Sequence, residues 1–301
     1  MSQTQTQTQT VARPTTGKIC MWNGTADGQE DGFVDVSNGN TNALPPKIIN
    51  VTVQDIRNQE PQPSVNTDGY ELLRRPTSIP AEVFENPLTE ENKEILVTAY
   101  FEECRRLVQE ITGAAETFTF IHRIRSQNTD FNNALDFKQD AFKGTVPLAH
   151  VDRDPVTAPE RLRSSMGEER AEALMKKYKR WAIVNVWRPI GPAVQKWPLG
   201  FVNHHAIPDW HYNTHMGHLH TINNPAADER GAKTYENILK HDPRYKYHYA
   251  SNMTSDEVLL FSAFHSDPRL GIPHGAFWDD NTAKDAPGRA SIEVRTWAFF
   301  D

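Results

Sequence analysis

A chain of 301 residues, 38% hydrophobic and 24% charged, is long enough for one large core or two small ones. Its formal net charge of −7 and its mean hydropathy of −0.65 leave no basic footprint for nucleic acid, and no apolar run approaches the ~18 residues of a membrane span. Cys20 and Cys104 are the only cysteines, too few and too far apart for a disulfide framework or a zinc site, and MSQTQTQTQT lacks the charged and apolar regions of a secretory signal. A cytoplasmic protein acting on a small molecule is therefore the expectation, with no nucleic-acid or membrane partner and nothing in the sequence to set an oligomeric state.

In chain order, residues 1–17 begin with a Gln/Thr repeat and read as a disordered tail. Residues 18–85 alternate short apolar runs, KIINVTV and GYELL, with Asn, Gly, Asp and Pro clusters; they suggest an extension packed on the core of a single domain spanning 18–301. The segment 89–112 reads as a helix, with Thr89 as its cap, Gly113 past its end, and Ile95, Leu96, Tyr100, Leu107 and Ile111 on its core face. TFTFIHRIR (117–125) alternates like a strand, 167–180 reads as a second helix, and WAIVNVWRP (181–189) as a strand closed by proline. EVLLFSAF (257–264), HGAFWD (274–279) and ASIEVRTWAFF (290–300) complete a series of strands. This order predicts a mainly β fold with flanking helices, a double-stranded β-helix or jelly-roll core of cupin type, and not a βαβ array. GxGxxG after a strand, a P-loop and a G-x-S-x-G elbow are all missing from the sequence.

The chemistry concentrates in three short stretches. In PLAHVDRD (147–154), His150 and Asp152 are two apart, so an extended backbone turns both to one face. An H-x-D triplet alone is common as a histidine beside a salt-bridging aspartate. GIPHGAF (271–277) adds His274 at the start of an apolar strand, and a set of two histidines and one carboxylate suits Fe(II) with open positions for a co-substrate and O2. GRASIEVR (288–295) follows with Arg289 and Ser291 on one strand face, a pair able to hold the carboxylate of 2-oxoglutarate; Arg295 shares that face and is the alternative anchor.

AHVD, NVWRP followed by PLG, MTSDEVLLF, PHGAF and RASIEVR together resemble the fungal hydroxylase/desaturase family, with gibberellin desaturase-like proteins and tailoring oxygenases of secondary metabolism among its members. The resemblance runs from about residue 48 to the end. It implies a jelly-roll core using Fe(II), 2-oxoglutarate and O2, with His150, Asp152 and His274 on the metal and Arg289 on 2-oxoglutarate. It departs from many relatives at Ser262 and His265, where they carry lysine and aspartate.

Other residues have two readings each. Asn185, Trp187 and Arg188 are pocket candidates, although Arg188 must point opposite to the other two; His122 and Arg123 have the same standing. Six histidines between 204 and 220 read as a polar rim or surface loop in preference to a metal loop, and His265-x-Asp267 as a turn. The expected function is hydroxylation, desaturation or oxidative cyclisation of a small secondary metabolite. The alternatives are a cupin-like metal-dependent oxidase, isomerase or lyase that does not use 2-oxoglutarate, and a non-catalytic binding protein.

Overall fold

The computed structural model describes residues 14–128, 147–223 and 235–301. The chain opens with strands β1 (Thr15–Met21), β2 (Gly32–Asp35), β3 (Lys47–Asp55) and β4 (Tyr70–Arg74). Helices α1 (Ala81–Glu85), α2 (Glu90–Ile95) and α3 (Phe101–Thr112) follow, then β5 (Glu116–Gln127). After β6 (His150–Val151) come helices α4 (Thr157–Met166) and α5 (Glu168–Lys177), β7 (Arg180–Pro189), β8 (Leu199–Asn203) and the single turn α6 (Tyr212–His215). The remaining strands are β9 (Met216–Ile222), β10 (Tyr235–Leu239), β11 (Lys246–Tyr249), β12 (Glu257–His265), β13 (His274–Ala276), β14 (Trp278–Asp279) and β15 (Arg289–Phe300).

The strands form two sheets of the expected jelly-roll, one ordered β14-β1-β3-β11-β8-β13-β6-β10-β9-β2 and the other β4-β12-β7-β15-β5. Strand β7 lies between β12 and β15 and is buried on both faces, which is why RWAIVNVWRP is apolar almost throughout. Ile183 and Trp187 point into the core between the sheets with Phe201, Phe261, Ile272 and Trp297. Val184 and Val186 point the other way, toward Leu96, Tyr100, Leu107 and Val108 of the helical layer. Each such aliphatic side chain contributes roughly 1.5–3 kcal/mol by leaving water. A third apolar cluster, including Ile19, Val53, Val151, Val202 and Trp210, covers the opposite face of the larger sheet.

Local chemistry sets the boundaries. The Thr89 side chain accepts the backbone N–H of Asn92, and Gly113 ends α3 at φ +68°, as the sequence predicts. The helix from 89 to 112 is not uniform, however: residues 96–100 widen into a π turn between α2 and α3. The second predicted helix starts one residue later and ends at Lys177, and α4 precedes it where no helix was expected. Thr15–Gly17, placed in the tail by composition, belong to β1, and residues 1–13 lie outside the described residues. The N-terminal extension is woven into the larger sheet, where β1 and β3 pair along seven residues and β3 continues to β11. HGAFWD divides into β13 and β14 at Phe277. Among the described residues no helix is long and apolar enough to cross a membrane.

Candidate metal centre

The larger sheet brings PLAHVDRD and GIPHGAF side by side. His150 of β6 and His274 of β13 are directly paired, with ring centroids 4.7 Å apart, and Asp152 follows one residue after β6. One ligand atom from each of His150, Asp152 and His274 lies within 4.8 Å of the others, and this is the single such His/Cys/Asp/Glu group among the described residues. Gly275 permits the close pairing, because a Cβ there would lie 2.6 Å from the Leu148 carbonyl oxygen.

The imidazoles are held the same way. His150 Nδ1 lies 2.8 Å from the Leu148 carbonyl and His274 Nδ1 lies 3.1 Å from that of Ile272. A carbonyl only accepts, so both Nδ1 atoms carry the hydrogen and both Nε2 atoms keep a lone pair for a metal. Both oxygens of Asp152 are also fixed: Asn185 Nδ2 donates to Oδ2 at 3.0 Å and Arg295 donates to Oδ1 at 2.8 Å. Arg295 holds Glu293 too, at 2.9 Å. Burial works against the Arg295 cation, and the Asp152 and Glu293 carboxylates more than reverse it, holding Arg295 above the usual arginine range.

Arg289 is in a different situation. It is 4% exposed, donates to the Trp197 carbonyl at 2.7 Å and lies 5.4 Å from the Trp187 ring centroid, while its Nε has no acceptor among the described residues. Its guanidinium makes no ion pair among the described residues, and burial followed by the nearby Arg125 charge disfavours its cation. An anion is what this side chain lacks. Trp197 sits at φ +55°, a strained conformation for a large side chain, and presents the carbonyl that orients Arg289. Ser291, buried at 2%, faces Arg125 of β5 and Pro189 of β7 across the sheet.

Strand parity sorts the remaining candidates. Asn185 and Trp187 pair with Arg295 and Glu293 and share the inner face with them, and Arg123 lies opposite Glu293 on the same face. Arg188 and His122 do not join the site. Arg188 turns to the helical layer, where it donates to Tyr100 Oη and to the carbonyls of Arg75 and Ser255. His122 faces Val294 and packs edge-on against Phe101 of α3. Arg295, the alternative anchor for a co-substrate, is already committed to Asp152 and Glu293. The histidines of 204–220 also have structural partners. His204 stacks on Trp210 at 3.9 Å, His205 meets the Arg269 carbonyl, and His218 and His220 flank Asp31. His265 accepts the Asp267 backbone N–H in a turn. Two clefts of about 450 and 290 Å³ lie elsewhere, lined by none of the triad.

The pairing of Arg295 with Asp152 spans 143 residues, and the role of Trp197 rests on a backbone angle, so sequence reasoning finds neither. The WRP and PLG motifs on either side are the nearest signal for Trp197.

Residues 25–299 match the family model described as oxidoreductase/YMDC permease-like domain. Oxidoreductase R2 of Phoma sp. is 50% identical over 97% of this chain and 98% of its own length. Hydroxylase/desaturase efuI of Hormonema carpetanum is 28% identical, covering 83% of each chain. Among solved structures, the iron and alpha-ketoglutarate-dependent endoperoxidase NvfI superposes with a TM-score of 0.77 at 24% identity, over 96% of this chain and 99% of that one, and so shares the fold. The chain belongs to the oxidoreductase/YMDC permease-like domain family, together with fungal oxidoreductases of the R2 kind.

Proposed function

We propose that this protein is an Fe(II)- and 2-oxoglutarate-dependent oxygenase that hydroxylates, desaturates or oxidatively cyclises a small secondary metabolite. The observation that carries this reading is the triad, in which His150, Asp152 and His274 present ligand atoms within 4.8 Å and both imidazoles are fixed through Nδ1 on a backbone carbonyl. Two nitrogens and one carboxylate suit Fe(II) better than a closed zinc site, which favours four protein ligands with cysteine among them. The co-substrate passes a separate fit test: the buried Nε of Arg289 lacks an acceptor among the described residues, and a carboxylate would supply one. The names of efuI and NvfI support the same chemistry.

When bound, iron and 2-oxoglutarate supply the activation of O2 needed to oxidise an unactivated C–H bond. The protein's residues do the rest. His150, Asp152 and His274 hold the metal, while Asn185 and Arg295 keep the Asp152 carboxylate from turning. Arg289, its guanidinium over the Trp187 ring, would hold the distal carboxylate of 2-oxoglutarate, and Ser291 would add a hydroxyl from the same strand face. The acidic charge and the free, buried Cys20 and Cys104 support a single catalytic domain working in the reducing cytoplasm.

Anaerobic Fe(II) titration and 2-oxoglutarate turnover test this. Wild type should bind one iron and release succinate; His150→Ala, Asp152→Ala and His274→Ala should each lose both. Near-normal iron binding in any of the three would remove that residue from the triad. Arg289→Ala should raise the 2-oxoglutarate requirement, and an unchanged requirement would shift the anchor to another cation.

A further inference from the structure

A run of ring contacts leads from the triad across the core. The His274 imidazole packs against Phe261 with centroids 4.5 Å apart, Phe261 against Phe201 at 5.3 Å, and Phe201 stacks on Tyr70 at 4.8 Å. The run ends at His248, whose Nδ1 is hydrogen-bonded to the Tyr70 hydroxyl. Strand pairing builds it: His274 and His248 each stand opposite Phe201 in the larger sheet, and Phe261 stands opposite Tyr70 in the smaller one. The path therefore zigzags between the two sheets. Phe261, Phe201 and Tyr70 are fully buried, so close-packed rings and not water fill the space between the metal ligand and the phenol. Among the described residues Tyr70 is the only tyrosine or tryptophan joined to the triad by such contacts.

A tyrosine gives up an electron readily only if its phenolic proton leaves with it, because the cation radical is a strong acid. His248 offers that proton a place. Burial pushes the Tyr70 phenol up and the His248 imidazole down to about 4, so at neutral pH the phenol keeps its hydrogen and Nδ1 has a lone pair to receive it. Other rings are worse suited. The Arg289 cation lies over Trp187 and the Arg188 guanidinium donates to Tyr100 Oη, and a positive charge opposes loss of an electron.

We propose that Tyr70 is a one-electron donor to the metal centre, connected through Phe201 and Phe261 and coupled to proton transfer onto His248, and that it discharges the centre when O2 reacts without substrate. Tyr70 gives one electron to the iron centre that O2 has oxidised, and its phenolic proton to His248 Nδ1. The products are a neutral tyrosyl radical, an imidazolium and a centre one electron more reduced. A one-electron reductant of the ascorbate class, with the proton returning from Nδ1, restores the phenol. This assignment rests on the oxygenase reading of the triad.

The test uses the full chain loaded with Fe(II) and 2-oxoglutarate, mixed with O2 without any other substrate and frozen at successive times. Electron paramagnetic resonance and succinate are measured on the same samples. Wild type should give a tyrosyl signal that narrows when ring-deuterated tyrosine is incorporated and disappears on adding ascorbate. Tyr70→Phe, which removes only the hydroxyl, should lose the signal while still binding iron and releasing succinate. Phe261→Leu should slow its appearance, and His248→Gln should lower its yield. Succinate without a tyrosyl signal in wild type, or an undiminished signal in Tyr70→Phe, would overturn the proposal and leave the oxygenase reading standing. A signal that forms as fast in Phe261→Leu as in wild type would overturn the path. No succinate from wild type would sink the oxygenase reading, and this assignment with it.

Discussion

Replacing Arg295 by alanine tests whether the metal carboxylate is electrostatically built into the fold. The guanidinium contacts Asp152 at 2.8 Å and Glu293 at 2.9 Å, and the three side chains are 12%, 5% and 13% exposed. Removing one partner of a buried pair leaves an uncompensated charge, at a cost of about 3–5 kcal/mol, and here two carboxylates lose their partner together. Arg123 and Arg153 stand close enough to take over part of that role, which favours the lower end. A loss of ~3 kcal/mol corresponds to a fall in Tm of roughly 5 °C for a chain of this size. Urea denaturation of the metal-free protein reads the free energy directly. Adding Mn(II) should narrow the deficit, because the ion supplies Asp152 with positive charge and no longer competes with Arg295. Metal-free stability within ~0.5 kcal/mol of wild type would refute the reasoning.

Other expected outcomes follow from the same structure. Asn185→Ala removes one hydrogen bond to Asp152 and should weaken iron binding about 10-fold while leaving the fold intact; equal affinity would mean that Arg295 alone holds the carboxylate. Gly275→Ala drives a Cβ to 2.6 Å from the Leu148 carbonyl and should spread His274 from His150, lowering both Tm and metal affinity; a neutral result would show that the strands separate freely. Burial holds His204, His248 and His265 down to about 4, against an ordinary value near 6.5. The unfolded chain therefore takes up protons first as pH falls, and stability should drop between about pH 6.5 and 4, with little change above 7. Urea midpoints flat across that window would contradict this, and His204→Asn should reduce the slope.

Patterns that repeat along the chain were legible in the sequence. Alternation marks β5 and unbroken apolar runs mark β7 and β12, and H-x-D and the later histidine meet because β6 and β13 are neighbours in one sheet. Parity alone places Arg188 opposite Asn185 and Trp187. It would have set His122 apart from Arg123 by the same logic. Helix α4 escaped because Pro159 reads as a breaker, whereas in a first turn its missing N–H has no partner to lose. The π turn at 96–100 leaves no periodic signature across so few residues. Contacts set by tertiary structure were out of reach: Arg295 on Asp152, Asn185 on the same carboxylate, and the Trp197 carbonyl on Arg289. Each depends on which strands become neighbours and on a side chain's final direction, neither of which a local pattern contains.

The most direct test of the central claim is visible absorbance of the Fe(II)-loaded protein, titrated anaerobically with 2-oxoglutarate. Chelation on a two-histidine, one-carboxylate centre should produce a weak metal-to-ligand charge-transfer band in wild type, saturating near one equivalent. Arg289→Gln should give the same band only at much higher 2-oxoglutarate. Bound iron without any band would contradict the account, leaving the triad as a metal site for some other chemistry.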